Sequence, residues 1–170
     1  NIHHEVQYRN YNGMGDLEQL LLRAGLGYTF NEGKNNALLG YGYIVSENYT
    51  PNTDNNLTVN EHRIFQQFTS TQNVGSVKLN HRYRFEQRFV EQDFKMRFRY
   101  FLGLNIPLKN TSPLYISAYN EIFLNTKRTI FDRNRVFGGL GYHLSDNIRM
   151  ETGYMNQILE PYSRDQLNIM

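Results

Sequence analysis

The sequence predicts an all-β protein, an antiparallel up-and-down transmembrane β-barrel of about 10–12 strands when complete. Three observations predict it. Side chains alternate in character with a period of two along most of the chain, which is the signature of half-buried strands. The two faces of that alternation are unlike: one is aliphatic and aromatic, the other carries guanidinium groups and glycine. Successive strands are separated by short stretches of Gly, Asn, Pro and Ser, so neighbours in sequence pair as hairpins.

The stretch from Val77 to Ile106 carries the pattern most fully. Val77, Leu79, His81, Tyr83, Phe85, Gln87 and Phe89 share one face, and Lys78, Asn80, Arg82, Arg84, Glu86 and Arg88 share the other. Beyond Val90-Glu91-Gln92-Asp93 the parity reverses. Phe94, Met96, Phe98, Tyr100, Leu102, Leu104 and Ile106 then oppose Lys95, Arg97, Arg99, Phe101, Gly103 and Asn105. A two-residue connection at Glu91-Gln92 pairs Val90 with Asp93 and sets Glu86 opposite Arg97 and Arg84 opposite Arg99, while a shift by two keeps the face and sets Glu86 opposite Arg99 instead. A slip by one residue sends the arginines of one strand into lipid, at roughly 2–4 kcal/mol each near the midplane.

The other elements follow in order. Residues 1–11 alternate Ile2, His4, Val6 and Tyr8 against His3, Glu5, Gln7 and Arg9, and Asn12 to Asp16 is a loop. Leu20 to Phe30 is a second strand, with Gly25 and Gly27 opposite large residues as in a closely packed, curved sheet. Asn31 to Asn36 is a turn, and Ala37 to Val45 a third strand. Ser46 to Asn60, with Pro51, Asn52, Asp54, Asn55 and Asn56, reads as a long loop exposed at the cell surface. Val59 to Ser70 is a weaker strand, and Thr71 to Gly75 a turn. After the central hairpin, Pro107 to Pro113 turns the chain into a strand over Leu114–Leu124. Asn125 to Asp132 is a loop, Arg133 to Leu144 a strand, and Ser145-Asp146-Asn147 a tight turn. Ile148 to Tyr154 is a strand, Leu159 to Asp165 a loop, and Gln166 to Met170 a stub. Long loops near residues 10, 47, 126 and 160 alternate with short turns near 33, 72, 110 and 146, as in outer-membrane barrels.

Composition narrows the function classes. The whole chain of 170 residues shows no break and reads as one domain. A net charge of +2, with the arginines spread over strand faces, gives no basic arm for nucleic acid. The absence of cysteine removes disulfides and thiolate metal sites. Tyr (13) and Phe (11) are abundant although mean hydropathy is −0.63, which suits strands whose apolar signal is diluted by interior residues. No signal-peptide pattern is present and the chain opens on Asn1, so a processed or trimmed chain is expected.

The run His81-Arg82-Tyr83-Arg84-Phe85-Glu86-Gln87-Arg88-Phe89, with Phe98 to Asn105, resembles the centre of domain-of-unknown-function family 2490. Arg133 to Leu144, followed by Gly153-Tyr154, is similar to the family's C-terminal hairpin. The resemblance covers nearly the whole chain. It implies a short barrel-like protein of the outer membrane, of a kind common in Bacteroidota, with no established activity and no catalytic residues to carry over. It further implies one more N-terminal strand and an aromatic C-terminal residue, neither of which this sequence has.

The candidate chemistry lies on the polar face. Arg82, Arg84, Glu86, Arg88, Arg97, Arg99, Glu121, Arg135, Arg149 and Glu151 are expected to form an ion-pair network in the lumen, with Arg9, Arg23, Arg63, Arg133, Glu5 and Glu61 on the same face. Side chains fill the interior of small barrels, so the network reads first as a salt-bridged plug. Its rival reading is an anion-leaning channel, since rings of arginine select anions. His3 and His4 point to opposite faces, and His62, His81 and His143 do not converge with them, so neither a metal nor a cofactor is expected. A lipid-acting enzyme would need Ser117 or Ser46 beside a histidine and a carboxylate, and the pattern shows no such set. A soluble lipocalin-like barrel would turn the apolar face inward instead. The leading expectation is a non-catalytic outer-membrane barrel, structural or accessory to an envelope assembly. Its partners would be membrane lipid and other envelope proteins.

Overall fold

Alternation with a period of two gives ten strands and one antiparallel sheet with the order β1 to β10, every neighbour in sequence being a neighbour in space. The computed structural model describes residues 1–10, 17–48, 57–109, 112–127, 129–145 and 148–169. The strands are β1 (Ile2–Asn10), β2 (Leu17–Phe30), β3 (Asn35–Asn48), β4 (Leu57–Val74), β5 (Val77–Val90), β6 (Asp93–Pro107), β7 (Leu114–Asn125), β8 (Phe131–His143), β9 (Arg149–Ile158) and β10 (Ser163–Ile169). No helix occurs among the described residues.

The central hairpin has the register the sequence demands: Val90 pairs with Asp93, Glu86 with Arg97 and Arg84 with Arg99. Its two-residue turn places Glu91 at φ 51°, a region that normally favours glycine. Glu91 is held there from the neighbouring β4: its N–H donates to the Asn60 carbonyl (3.1 Å), and its carboxylate accepts from the Asn60 N–H (2.6 Å).

Several boundaries differ from the sequence expectation. β4 is the longest strand at 18 residues, not a weak one. Thr71 to Val74 stay paired with Val77 to Asn80, and the turn shrinks to Gly75 and Ser76, with Gly75 at φ 61°. Ser46 to Asn48 and Leu57 to Asn60 are paired in β3 and β4, so the expected long loop is shorter at both ends. Its Pro51, Asn52, Asp54, Asn55 and Asn56 lie outside the described residues, as do Asn12 to Asp16, Asp146 and Asn147. Phe131 and Asp132 begin β8, and Ser163 to Asp165 pair with β9 through Ile158 to Asn156, so the last element is a strand rather than a stub. The long–short alternation of connections does not hold. The tight Glu91-Gln92 turn sits at the same end of the sheet as the longer connections after β1 and β3, while the connection after β6 at the other end is long.

The two faces of the sheet are sorted by exposure. Leu26, Leu39, Tyr83, Phe98, Leu140 and Tyr154 are exposed on one face. Phe65, Phe123, Phe137, Arg63, Arg84, Glu86, Arg97, Arg99 and Glu121 are buried on the other. A single sheet can bury one face only by rolling upon it. Contacts that skip a strand record the curl: Arg82 of β5 reaches Glu121 of β7 (2.7 Å), and Tyr115 of β7 reaches Glu151 of β9 (2.7 Å). Arg9 of β1 and Arg164 of β10 line one cleft, so the two ends of the sheet approach each other. Among the described residues β1 pairs only with β2 and β10 only with β9, so the sheet is rolled but not closed by a ladder.

Glycine permits the tight inner curve. Phe65, with 0% exposure, lies over Gly40, where an added Cβ would come within 2.3 Å of the ring. Tyr115 covers Gly141 in the same way. Large rings thus occupy the space that glycine leaves on the neighbouring strand.

Candidate functional site: the interior ion-pair network

Glu86 is the centre, and it arrives there by register. As an even-numbered residue of β5 it shares the inner face with Arg84 and Arg88, and cross-strand pairing brings Arg97 directly opposite. Its carboxylate is 0% exposed. Arg97 donates from Nη2 (2.7 Å) and Nε (2.9 Å) to Oε2, and Arg99 Nη1 donates to Oε1 (3.0 Å). Arg63 and Arg84 stand at 3.5 and 3.8 Å. A buried carboxylate needs this many donors, because desolvation is offset only when its lone pairs are filled.

The network extends to either side. Arg99 continues to Glu121 Oε1 through Nη2 (2.6 Å) and Nε (3.1 Å), and Arg82 Nη2 reaches the same oxygen (2.7 Å). Arg135 approaches the other Glu121 oxygen at 4.0 Å. Toward β4, Arg63 joins Glu86 to Glu61 (2.6 Å), and Arg88 binds both oxygens of Glu61 at 2.7 Å. Arg23 of β2 pairs with Glu5 of β1 at 3.0 Å. Arginine suits such a chain because one planar guanidinium can serve two acids at once.

Arginines outnumber interior carboxylates, and the surplus rests on aromatic rings and amides. Four guanidinium groups surround Phe123: Arg99 at 4.4 Å from the ring centroid, Arg135 at 5.0 Å, Arg97 at 5.3 Å and Arg133 at 5.7 Å. Arg84 lies over Phe65 (4.9 Å) and Arg82 over Phe101 (4.8 Å). Such contacts are worth roughly 0.5–2 kcal/mol each, more when desolvated. Arg84 also donates from Nε and Nη2 to the Gln67 amide oxygen, and Arg135 Nε to that of Gln157 (2.7 Å).

Of the ten residues singled out from sequence, Arg82, Arg84, Glu86, Arg97, Arg99 and Glu121 converge in one cluster, with Arg135 at its edge. Arg88 joins through Glu61 rather than through Glu86. Arg149 and Glu151 stand apart as a pair at 3.7 Å, with Arg149 58% exposed and Glu151 accepting from Tyr115 and Ser117. Asp132 was hidden from sequence reasoning. A register shift opposite Phe123 and Leu124 brings its carboxylate to Arg133 (2.9 Å) and Arg97 (3.5 Å). Gln67, Gln157 and the ring of Phe123 were also missed, although each falls on an inner-face position of its strand.

The other candidates are accounted for by local partners. Ser117 donates to Glu151 (3.0 Å), while the His143 ring is tilted against that of Tyr115 at 4.8 Å, so the serine faces a carboxylate and not an imidazole. Ser46 accepts from Gln19 (3.0 Å). His62 bonds the Tyr41 hydroxyl (2.6 Å), and His81 bonds Tyr100 (3.0 Å) and Gln72 (2.8 Å) on the outer face. His3 approaches Glu5 at 3.8 Å. Among the described residues no group of three or more His, Asp or Glu is arranged to hold a metal.

Fold and site together define an all-β protein of one rolled antiparallel sheet, with a charged interior and an apolar outer wall. The chain belongs to the family described as "Protein of unknown function (DUF2490)", which it matches over residues 1–168. It is similar to an uncharacterized protein of Methylorubrum extorquens, 32% identical over 164 residues, an alignment that covers 90% of this chain and 69% of the relative. No solved structure matches.

Proposed function

We propose that this protein is an outer-membrane β-barrel whose apolar wall meets lipid and whose ion-pair network fills the interior as a plug, serving a structural or accessory role in the envelope. The observation that carries the reading is the sidedness of the sheet. Large apolar side chains such as Leu26 (72%), Leu39 (58%) and Tyr154 (54%) lie open, while Glu86 (0%) and Arg84 (5%) are buried. In water that arrangement exposes the face that should drive folding, and in a bilayer it is the stable one. A lipocalin-like barrel has the reverse sidedness. The plug is favoured over a channel because the acids of the interior are saturated by arginine from both sides. The outer wall supports the lipid assignment further: Phe68, Tyr83 and Tyr100 form a continuous aromatic strip across three adjacent strands, with ring centroids 6.4 and 4.9 Å apart.

The protein should fractionate with outer membranes, require detergent once extracted, and migrate differently on gels before and after boiling. Purification as a soluble monomer without detergent would overturn the reading. In planar bilayers the plug predicts no discrete conductance, and anion-selective steps would replace it with the channel.

A further inference from the structure

We infer that the cleft between β1 and β8–β10 is a binding site for a phosphate-bearing anion. The cleft, of about 430 Å³, opens on the inner face and is lined by Arg9, Arg133, Arg135 and Arg164, with Glu18 the one carboxylate among its lining residues. Elsewhere on this face each cluster of arginines has its acid: Glu61 for Arg63 and Arg88, Glu86 for Arg97 and Arg99, Glu5 for Arg23. At the cleft that matching stops. Among the described residues Arg9 donates to the Gln7 amide oxygen (3.0 Å) and pairs with no carboxylate, and Arg164 likewise has no acidic partner. Arg135 is held by Gln157 (2.7 Å) and stands 4.0 Å from Glu121, which already serves Arg82 and Arg99. Arg133 shares Asp132 with Arg97.

Guanidinium groups gathered from β1, β8 and β10 around one open volume raise the local potential and favour an anion with several acceptor oxygens. A phosphate ester or diphosphate offers enough charged oxygens to engage guanidinium forks from several strands at once, whereas a single carboxylate has only two. The phosphate could belong to a lipid headgroup or to a soluble molecule, and the chemistry at the cleft is the same. The inference rests on the interior geometry and not on what covers the outer wall, so it and the membrane assignment can fail separately.

The test is titration calorimetry of the purified protein at low ionic strength in uncharged detergent, with inorganic diphosphate as the probe. Saturable binding is expected, weakened about a hundredfold in the Arg9→Gln/Arg164→Gln double variant, since each lost charge-assisted contact is worth about tenfold. Lys34→Gln, in the β2–β3 turn, should bind like the wild type and so controls for net charge. Unchanged thermal melting of the double variant shows that its fold is intact, because neither arginine is buried. If the double variant melts early, Arg164→Gln alone replaces it, with about a tenfold loss expected. Micelles doped with phosphatidic acid separate the sources: displacement of diphosphate by the doped micelles assigns the site to a headgroup, and no displacement assigns it to a soluble phosphate. Absence of diphosphate binding to the wild type, or equal binding to the arginine variants, overturns the inference.

Discussion

Glu86 has no exposed surface and four guanidinium groups around it, and a single substitution there reports on the whole interior. Removing one partner of a buried pair leaves the others charged and unpaired, at about 3–5 kcal/mol. Glu86→Ala should therefore lower the unfolding free energy of the detergent-solubilised protein, read from urea titration, by an amount of that order. Arg149→Ala should move it by less than about 1 kcal/mol, because a half-exposed pair is worth little. Equal effects would mean that interior ion pairs and peripheral ones are alike in this protein. Gly40 tests the packing rather than the charge. Gly40→Val drives a Cβ into the Phe65 ring and should cost about 1–3 kcal/mol by overpacking. Phe65→Leu in the same chain should recover part of that loss, which a double-mutant cycle measures as coupling between the two sites.

At the scale of elements, the hairpins are governed by their turns. Gly75 opens the two-residue β4–β5 turn at φ 61°, with nothing near an added Cβ, so Gly75→Ala isolates the backbone cost. That cost is about 1–2 kcal/mol for an L-residue in the left-handed region, read as a shift in thermal or urea stability. The central hairpin was legible from sequence because parity excludes a slip by one, and of the registers that keep the arginines on one face the two-residue turn selects the one in which Glu86 meets Arg97 rather than Arg99. β4 was underrated because Thr71, Gln72 and Asn73 carry turn chemistry, yet their pairing with Asn80, Leu79 and Lys78 prolongs the ladder to Val74. Ser163 to Asp165 misled in the same way, since polar residues beside β9 extend a strand whenever its edge is free to pair. Asp132 could not be read inward by counting parity, because the irregularity opposite Phe123 and Leu124 breaks the count. The arginine cage around Phe123 was invisible for a different reason: Arg99 and Arg133 lie directly opposite it and Arg97 and Arg135 diagonally, so it depends on the β6–β7 and β7–β8 registers, which the longer connections there leave open.

For the whole molecule, the account depends on which way the sheet faces. The ion-pair interior and the apolar wall are two consequences of one curl, and inverting the curl would turn the arginines outward and bury the apolar face. Cysteine is absent from the chain, so single-cysteine variants label one site each. Leu39→Cys, Phe98→Cys and Tyr154→Cys place a spin label on the exposed face of β3, β6 and β9, each at a residue that contributes no interior contact. The measurement is collision accessibility in lipid vesicles, comparing oxygen, which concentrates in the bilayer, with a water-soluble relaxation agent. The account predicts that all three labels are relaxed strongly by oxygen and weakly by the polar agent. Strong relaxation by the polar agent at all three positions would show an outer wall in water and contradict the central claim.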